Sequence, residues 1–182
     1  MDPPFRSIDL FQNESRAYSH LKARGFCQRG VVPDFYGVIK SIDPETPGWQ
    51  PDLKKFYDRT LPEGLDHKPR PDGVLIEYIP NIKKIDLDNY TEERVRKIRD
   101  IFFEIMDAGV IHMDDYPRNM MVQPETDRVL WIDFDRAQTL PYGPLDFYVQ
   151  DWFEMDVGMT DQLMDELVGH QILFEFIILP LV

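Results

Sequence analysis

The segment spanning residues 110–137, VIHMDDYPRNMMVQPETDRVLWIDFDRA, constrains this chain more than any other. It opens on apolar Val110-Ile111, and then polar groups crowd together: His112, Asp114, Asp115, Arg118 and Asn119. Met120 to Gln123 returns to strand-forming residues. Pro124-Glu125-Thr126-Asp127 carries turn chemistry, with Pro and Asp where a bend needs them. Val129-Leu130-Trp131-Ile132 is a short apolar run of the kind that makes a buried strand, and Asp133 ends it. The segment predicts a hairpin that brings Asp114, Asn119 and Asp133 to one end of a small sheet.

Three oxygen-bearing side chains meeting there suit a hard cation. Mg²⁺ takes oxygen ligands, keeps several waters, and needs only one or two carboxylates plus substrate phosphates. A remaining carboxylate can orient or deprotonate a hydroxyl. Two other readings use the same residues: a surface hairpin with solvated Asp and Asn, and a hydrolytic metal site built on His112, Asp114 and Asp115, for which no second His cluster is present.

The order and spacing of these residues resemble the protein-kinase-like superfamily. His112-Met113-Asp114-Asp115-Tyr116-Pro117-Arg118-Asn119 matches the catalytic-loop pattern H-x-D-x-x-x-x-N, and Asp133-Phe134-Asp135 stands where kinases carry D-F-G. The Ile132-Asp133-Phe134-Asp135 form is similar to the aminoglycoside- and choline-phosphotransferase-like branch and to small fungal kinase-like proteins. The resemblance implies Asp114 as catalytic base together with Asn119, Asn119 and Asp133 as Mg²⁺ ligands, ATP as phosphate donor, and His112 as a brace of the loop. Tyr116 lies where many protein kinases carry lysine, and Asp135 replaces their glycine, so a standard Ser/Thr protein kinase fits less well than the small-molecule branch.

Upstream, residues 11–24 predict a helix, capped by Asn13, with Glu14 in its first turn. Glu14, Ala17, Tyr18 and Leu21 follow i, i+3, i+4, i+7 and share a face. A carboxylate on a packed face needs a partner, unless water serves it at the helix start. In the resembled family such a helix carries a glutamate paired with a strand lysine on the ATP phosphates. That lysine and a glycine-rich loop should precede the helix, yet the 13 residues before Glu14 hold no Gly and no Lys. Residues 31–39 predict a strand with Gly37 at a bulge. Residues 41–71, rich in Pro, Asp and Lys, predict a long surface insertion that Trp49, Phe56 and Tyr57 pin to the body. Residues 73–79 predict another strand, ended by Pro80. In the resemblance it runs into the hinge, where the backbone at Glu77 and Ile79 meets the adenine; an ordinary edge strand explains the same residues.

Residues 91–108 predict the best helix. Thr91 caps it, Glu92 and Glu93 suit its start, Gly109 ends it, and Val95, Ile98, Phe102, Ile105 and Met106 form a core stripe. Pro141 to Pro144 is a breaker cluster, residues 160–169 predict a short helix, and residues 172–182 form an apolar tail too short to span a bilayer.

Composition sets the outer bounds. At 182 residues and 43% hydrophobic, the chain can build one cored domain or two small lobes. A net charge of −13 argues against nucleic acid or an anionic membrane as main partner. The single cysteine, Cys27, excludes an internal disulfide and reads as a buried, idle thiol. Without an apolar leader or membrane-length run, a cytoplasmic protein is expected. The expectation is an α+β fold of kinase-like, two-lobed type: a reduced first lobe over residues 1–80, a second over 81–171, and the tail, shortened at both ends relative to the resembled family. Its function is transfer of the ATP γ-phosphate to a protein or small-molecule hydroxyl, or alternatively a catalytically inactive binding module of the same fold.

Overall fold

A computed structural model describes residues 7, 9–43, 70–86, 88–140, 158 and 161. The fold is of mixed α+β class. Its first helix, α1 (Leu10–Ala23), begins where the Asp9 carboxylate accepts from the Gln12 amide at 3.0 Å and from its side chain at 2.7 Å. Asp9, not Asn13, is therefore the cap. Asn13 lies one turn inside, buried, where its amide nitrogen donates to the carbonyls of Ser7 (2.9 Å) and Asp135 (3.1 Å). An Asp four residues earlier offers the free amides an acceptor first, which releases Asn13 to tie the helix to a distant loop. Ala17, Tyr18 and Leu21 of the predicted face are fully buried, and Glu14 at its start is half-buried.

Left-handed Gly25 and Gly30 bracket a short helix, α2 (Phe26–Arg29), which the sequence did not announce. The strand predicted for residues 31–39 starts only at Phe35. Its first residues belong to an irregular turn in which Val32 is buried and the Val31 carbonyl accepts from Trp131 N at 3.1 Å. β1 (Phe35–Ile39) pairs antiparallel with β2 (Gly73–Ile76), and the register slips between Phe35 and Gly37, the expected bulge. β2 stops three residues short of the predicted Ile79 because β1 offers no regular partner past Phe35. Beyond it the Glu77 amide reaches across to Asp34 O at 2.7 Å and the Glu77 carboxylate accepts from Asp34 N at 3.1 Å, and Pro80 has no N–H to continue with.

β3 (Lys83–Lys84) leads to α3 (Glu92–Asp107). Thr91 Oγ1 accepts from Arg94 N at 3.1 Å, and Gly109 leaves the helix at φ +86°, as predicted. Val95, Ile98, Ile101, Phe102, Ile105 and Met106 are all buried. β4 (Val110–Ile111) follows directly and pairs antiparallel with β7 (Gln138–Thr139). Between them stand the predicted hairpin strands, β5 (Met120–Gln123) and β6 (Arg128–Trp131), in the register Met120↔Trp131, with β3 on the other edge of β5. Trp131, Tyr18, Phe102 and Phe134 are the largest fully buried side chains, and Trp131 Nε1 donates to Ile98 O at 2.9 Å. Truncating a buried aromatic of this kind to alanine costs about 3–5 kcal/mol.

The insertion core with Trp49, Phe56 and Tyr57, the Pro141 cluster and the apolar tail lie outside the described residues. So does the 160–169 helix, apart from Asp161, which is helical and ion-paired with Arg99.

Candidate functional site

The site is assembled from two loops and one helix. The first loop leaves β4 at His112 and crosses Met113, whose φ of +61° is rare for a side chain of that size. His112 is fully buried between the rings of Trp131 (5.1 Å) and Phe134 (4.7 Å). Its Nε2 lies 3.0 Å from Ile132 O, an atom that can only accept, so Nε2 carries the proton. Burial pushes the imidazole pKa down, which keeps the ring neutral, and its Nδ1 has no partner among the described residues. His112 thereby fastens the first loop to the end of β6.

Asp114 is 4% exposed and held from two sides. The Arg118 guanidinium is ion-paired with Oδ1. The Asn119 amide nitrogen donates to Oδ2 at 2.8 Å and to Asp114 O at 2.7 Å. Both partners are acceptors, so the nitrogen of Asn119 must face them, and its amide oxygen is the atom left to bind something else. A 3₁₀ turn, Pro117–Asn119, makes this local: Pro117 presets the bend, and the Asn119 amide closes it on Tyr116 O at 2.9 Å.

The second loop leaves β6 at Asp133, whose φ is +64°. Burial, then the charges of Asp135 and Asp114, raise the Asp133 carboxyl above its usual range. Glu14 approaches from α1. Burial, then Asp133 and Asp135, lift it to about 7. The fully buried Tyr18 hydroxyl, next to Glu14 and Asp133, has no partner among the described residues. Sequence reasoning thus named residues that do come together: Asp114 and Asn119 bond directly, and Asp133 lies within electrostatic reach of Asp114 on one side and of Glu14 on the other.

An aromatic column runs beneath this cluster. Phe35 stacks on Tyr18 (6.3 Å), Tyr18 meets Phe134 edge-on (5.1 Å), Phe134 meets His112, and Trp131 carries the contact on to Phe102 (5.3 Å). The column fixes α1 against both loops.

Glu77 and Ile79 stand apart from the acidic group. The Glu77 carboxylate forks with Arg128 at 2.9 Å on each arm, which lowers its pKa, and its amide is spent on Asp34. Its side chain is therefore committed, and only its carbonyl can meet a ligand. Ile79 is buried, and its amide and carbonyl make no backbone bond to a described residue. A cleft of about 410 Å³ is lined by Lys22, Asp34, Tyr36, Glu77 and Arg128 among others, and none of Glu14, Asp114, Asn119 or Asp133 lines it. Its Lys22 and Arg128 are already paired with Asp34 and Glu77.

Asn13 was expected only as a helix cap, and Arg128 was not singled out at all. Each acts on partners far along the chain, and nothing near either in sequence signals that contact. Cys27 is buried, as expected, and donates to Pro33 O at 3.4 Å; burial raises its pKa. Among the described residues no group of three or more His, Cys, Asp or Glu is set to hold a metal, and no helix is long and apolar enough to cross a membrane. No protein-family model matches the chain.

Proposed function

We propose that this chain is a kinase-like phosphotransferase that moves the γ-phosphate of ATP to a hydroxyl on a protein or small molecule. The observation that carries the reading is the Asn119 amide bridging the carbonyl and carboxylate of Asp114 while Asp133 faces Asp114 from the next loop. Asp114 accepts the hydroxyl proton as the hydroxyl oxygen bonds to phosphorus and the bond to ADP breaks. Asn119 fixes the direction of Asp114, and His112 fixes the loop against β6. The residues present fit Mg²⁺: the Asn119 oxygen and one or two carboxylates suffice beside phosphates. Asp133 and Asn119 would hold it, and when bound it neutralises the charge of the transferred group. Glu77 O and Ile79 support the hinge reading, because their backbone groups lie just beyond β2. In this reading the chain has two lobes, divided near residue 80, and works in the cytoplasm without nucleic acid or membrane.

One observation favours a second reading, a non-catalytic binding module of the same fold. Among the described residues, the charged groups that act on Glu14 are Asp133 and Asp135, both anions, where a phosphate-binding lysine would be needed.

The test is thermal stability with and without ATP and Mg²⁺, on wild type and on Asp133→Asn, a substitution the left-handed backbone tolerates. A ligand at about 100 times its Kd adds roughly 2.7 kcal/mol to the folded state. A Mg²⁺-dependent rise lost in Asp133→Asn supports nucleotide binding, and loss of phosphotransfer in Asp114→Ala then separates catalysis from binding alone. No rise in wild type removes the phosphotransferase reading.

A further inference from the structure

We propose that the free edge of β2 is a dimerisation surface: it pairs antiparallel with the same edge of a second copy of this chain, and the Leu75 side chains of the two copies meet on the two-fold axis. The edge is open by strand geometry. The Glu77 amide bonds to Asp34 O beside β1, and successive residues of a strand turn their N–H and C=O groups to opposite sides. The N–H and C=O of Val74 and Ile76 therefore point away from β1, and among the described residues no backbone group meets them. Such a row of unpaired groups is a template for another strand.

Other strand edges are guarded, and this one is not. β3 presents Lys83 and Lys84, both exposed. β1 is bulged between Phe35 and Gly37, and Lys22 donates to its Phe35 carbonyl. On β6, the Trp131 amide is taken by Val31 O. Lysines, bulges and covering segments all block a strand edge. β2 reads Gly73-Val74-Leu75-Ile76, without a charge or a proline. Leu75 is 43% exposed, and its partner across the sheet is Gly37, which places no side chain beside it. Ile39, opposite Gly73, is exposed for the same reason.

A second copy fits this edge because the edge is complementary to itself. Pairing Val74 with Ile76 of the second copy repeats by symmetry as Ile76 with Val74, so one axis through Leu75 serves both residues on both chains. The two Leu75 side chains then stand opposite each other on the face that Gly37 leaves bare. In this register Gly73 faces Glu77 of the second copy and Asp72 faces its Tyr78, so no two like charges meet. Asp72 and Glu77 are also held by Lys40 (3.6 Å) and Arg128 (2.9 Å) of their own chain. Two strands become four, where an isolated pair is marginal in water. Assembly stops there, because the outer edges of the joined sheet are those of β1, with their bulge and their Lys22 contact. The contact is small and two chains of charge −13 repel, so the dimer is reversible and strengthens with salt. None of this depends on nucleotide binding.

Sedimentation equilibrium of the full chain without nucleotide, over a wide concentration range at low and high salt, tests this on wild type, Leu75→Lys, Leu75→Glu and an equimolar mixture of the two variants. Wild type should pass from monomer to dimer, more readily at high salt. Each variant alone sets like charges face to face and should weaken the dimer about tenfold or more. The mixture should recover it, because opposite charges then meet on the axis. If a variant fails to fold, hydrogen exchange on wild type serves instead: the Val74 and Ile76 amides should exchange freely in dilute protein and be protected in concentrated protein. Wild type that stays monomeric at every concentration overturns the proposal. So does protection of Val74 and Ile76 that ignores concentration, which assigns the edge to another segment of the same chain. A dimer that Leu75→Lys leaves unchanged, a mixture no stronger than its parts, or association that grows past two copies overturns it as well.

Discussion

Replacing Glu14 by Gln should stabilise the protein at neutral and alkaline pH and leave it unchanged in mild acid. The Glu14 carboxyl titrates near 4.5 when free and near 7 in the folded chain, because burial and the facing Asp133 and Asp135 oppose its charge. Between these values the native state keeps a proton that the unfolded state has lost. The unfolded state then binds fewer protons, so stability falls as pH rises through this window and levels off above about pH 7. The full displacement corresponds to roughly 3.4 kcal/mol at 1.36 kcal/mol per tenfold. Glu14 is only partly buried, and water screens part of that cost, leaving about 1–2 kcal/mol. For a chain of this length each kcal/mol moves Tm by about 2–4 °C. Gln mimics the protonated acid, so the two proteins should melt together near pH 5 and separate by several degrees at pH 8. The assay is thermal unfolding across pH 5–8 with a chelator present and no nucleotide. Parallel curves for wild type and Glu14→Gln over that range would refute the reasoning, since the carboxyl would then carry no penalty to relieve.

Three further outcomes follow from the same structure. Tyr18→Phe should be neutral or stabilising by up to about 1 kcal/mol in urea unfolding, because it removes a buried hydroxyl that has no well-formed hydrogen bond among the described residues; a loss above 1 kcal/mol would mean the hydroxyl is bonded, with the nearby Asp133 backbone as its partner. Arg128→Met should cost about 2–3 kcal/mol, since it leaves the Glu77 carboxylate with the Asp34 amide alone and strips the donor from the carbonyls of Gly30 and Val32; an unchanged urea midpoint would show that the clamp contributes nothing. Asn13→Ala should lower the thermal midpoint by more than Asp9→Ala, because it strips donors from two part-buried carbonyls, whereas the exposed cap is worth about 1 kcal/mol. The reverse order would argue against Asn13 as a tether.

The parts of the fold written locally could be read locally. Thr91 and Gly109 bound α3 because caps depend on a few adjacent residues, and the Pro124 turn fixes the β5–β6 hairpin for the same reason. Asp114 and Asn119 could be paired on paper because they lie in one loop. What could not be read was decided across the chain. Asn13 looks like a cap until Asp9 takes that place, and Arg128 looks like an ordinary strand-edge cation until Glu77 and Gly30 are brought to it. Gly25 and Gly30 hide α2 in the same way, since two left-handed turns close together resemble a plain loop in sequence. Whether Glu14 would meet a cation or other carboxylates was equally a matter of tertiary placement.

The contact between Asn13 and Asp135 spans 122 residues, whereas Asp114, Asn119 and Asp133 all belong to one continuous hairpin segment. The acidic cluster therefore has two unequal histories. Its hairpin part needs only short loop closures, which take microseconds, but Glu14 arrives only when the two ends of the described chain meet, at a much larger entropic cost. A ligand that requires Asp133 alone can bind a partly folded chain. One that also requires Glu14 reports that folding is complete, so the order in which ligand affinity and hairpin structure return on refolding is set by how the chain is connected.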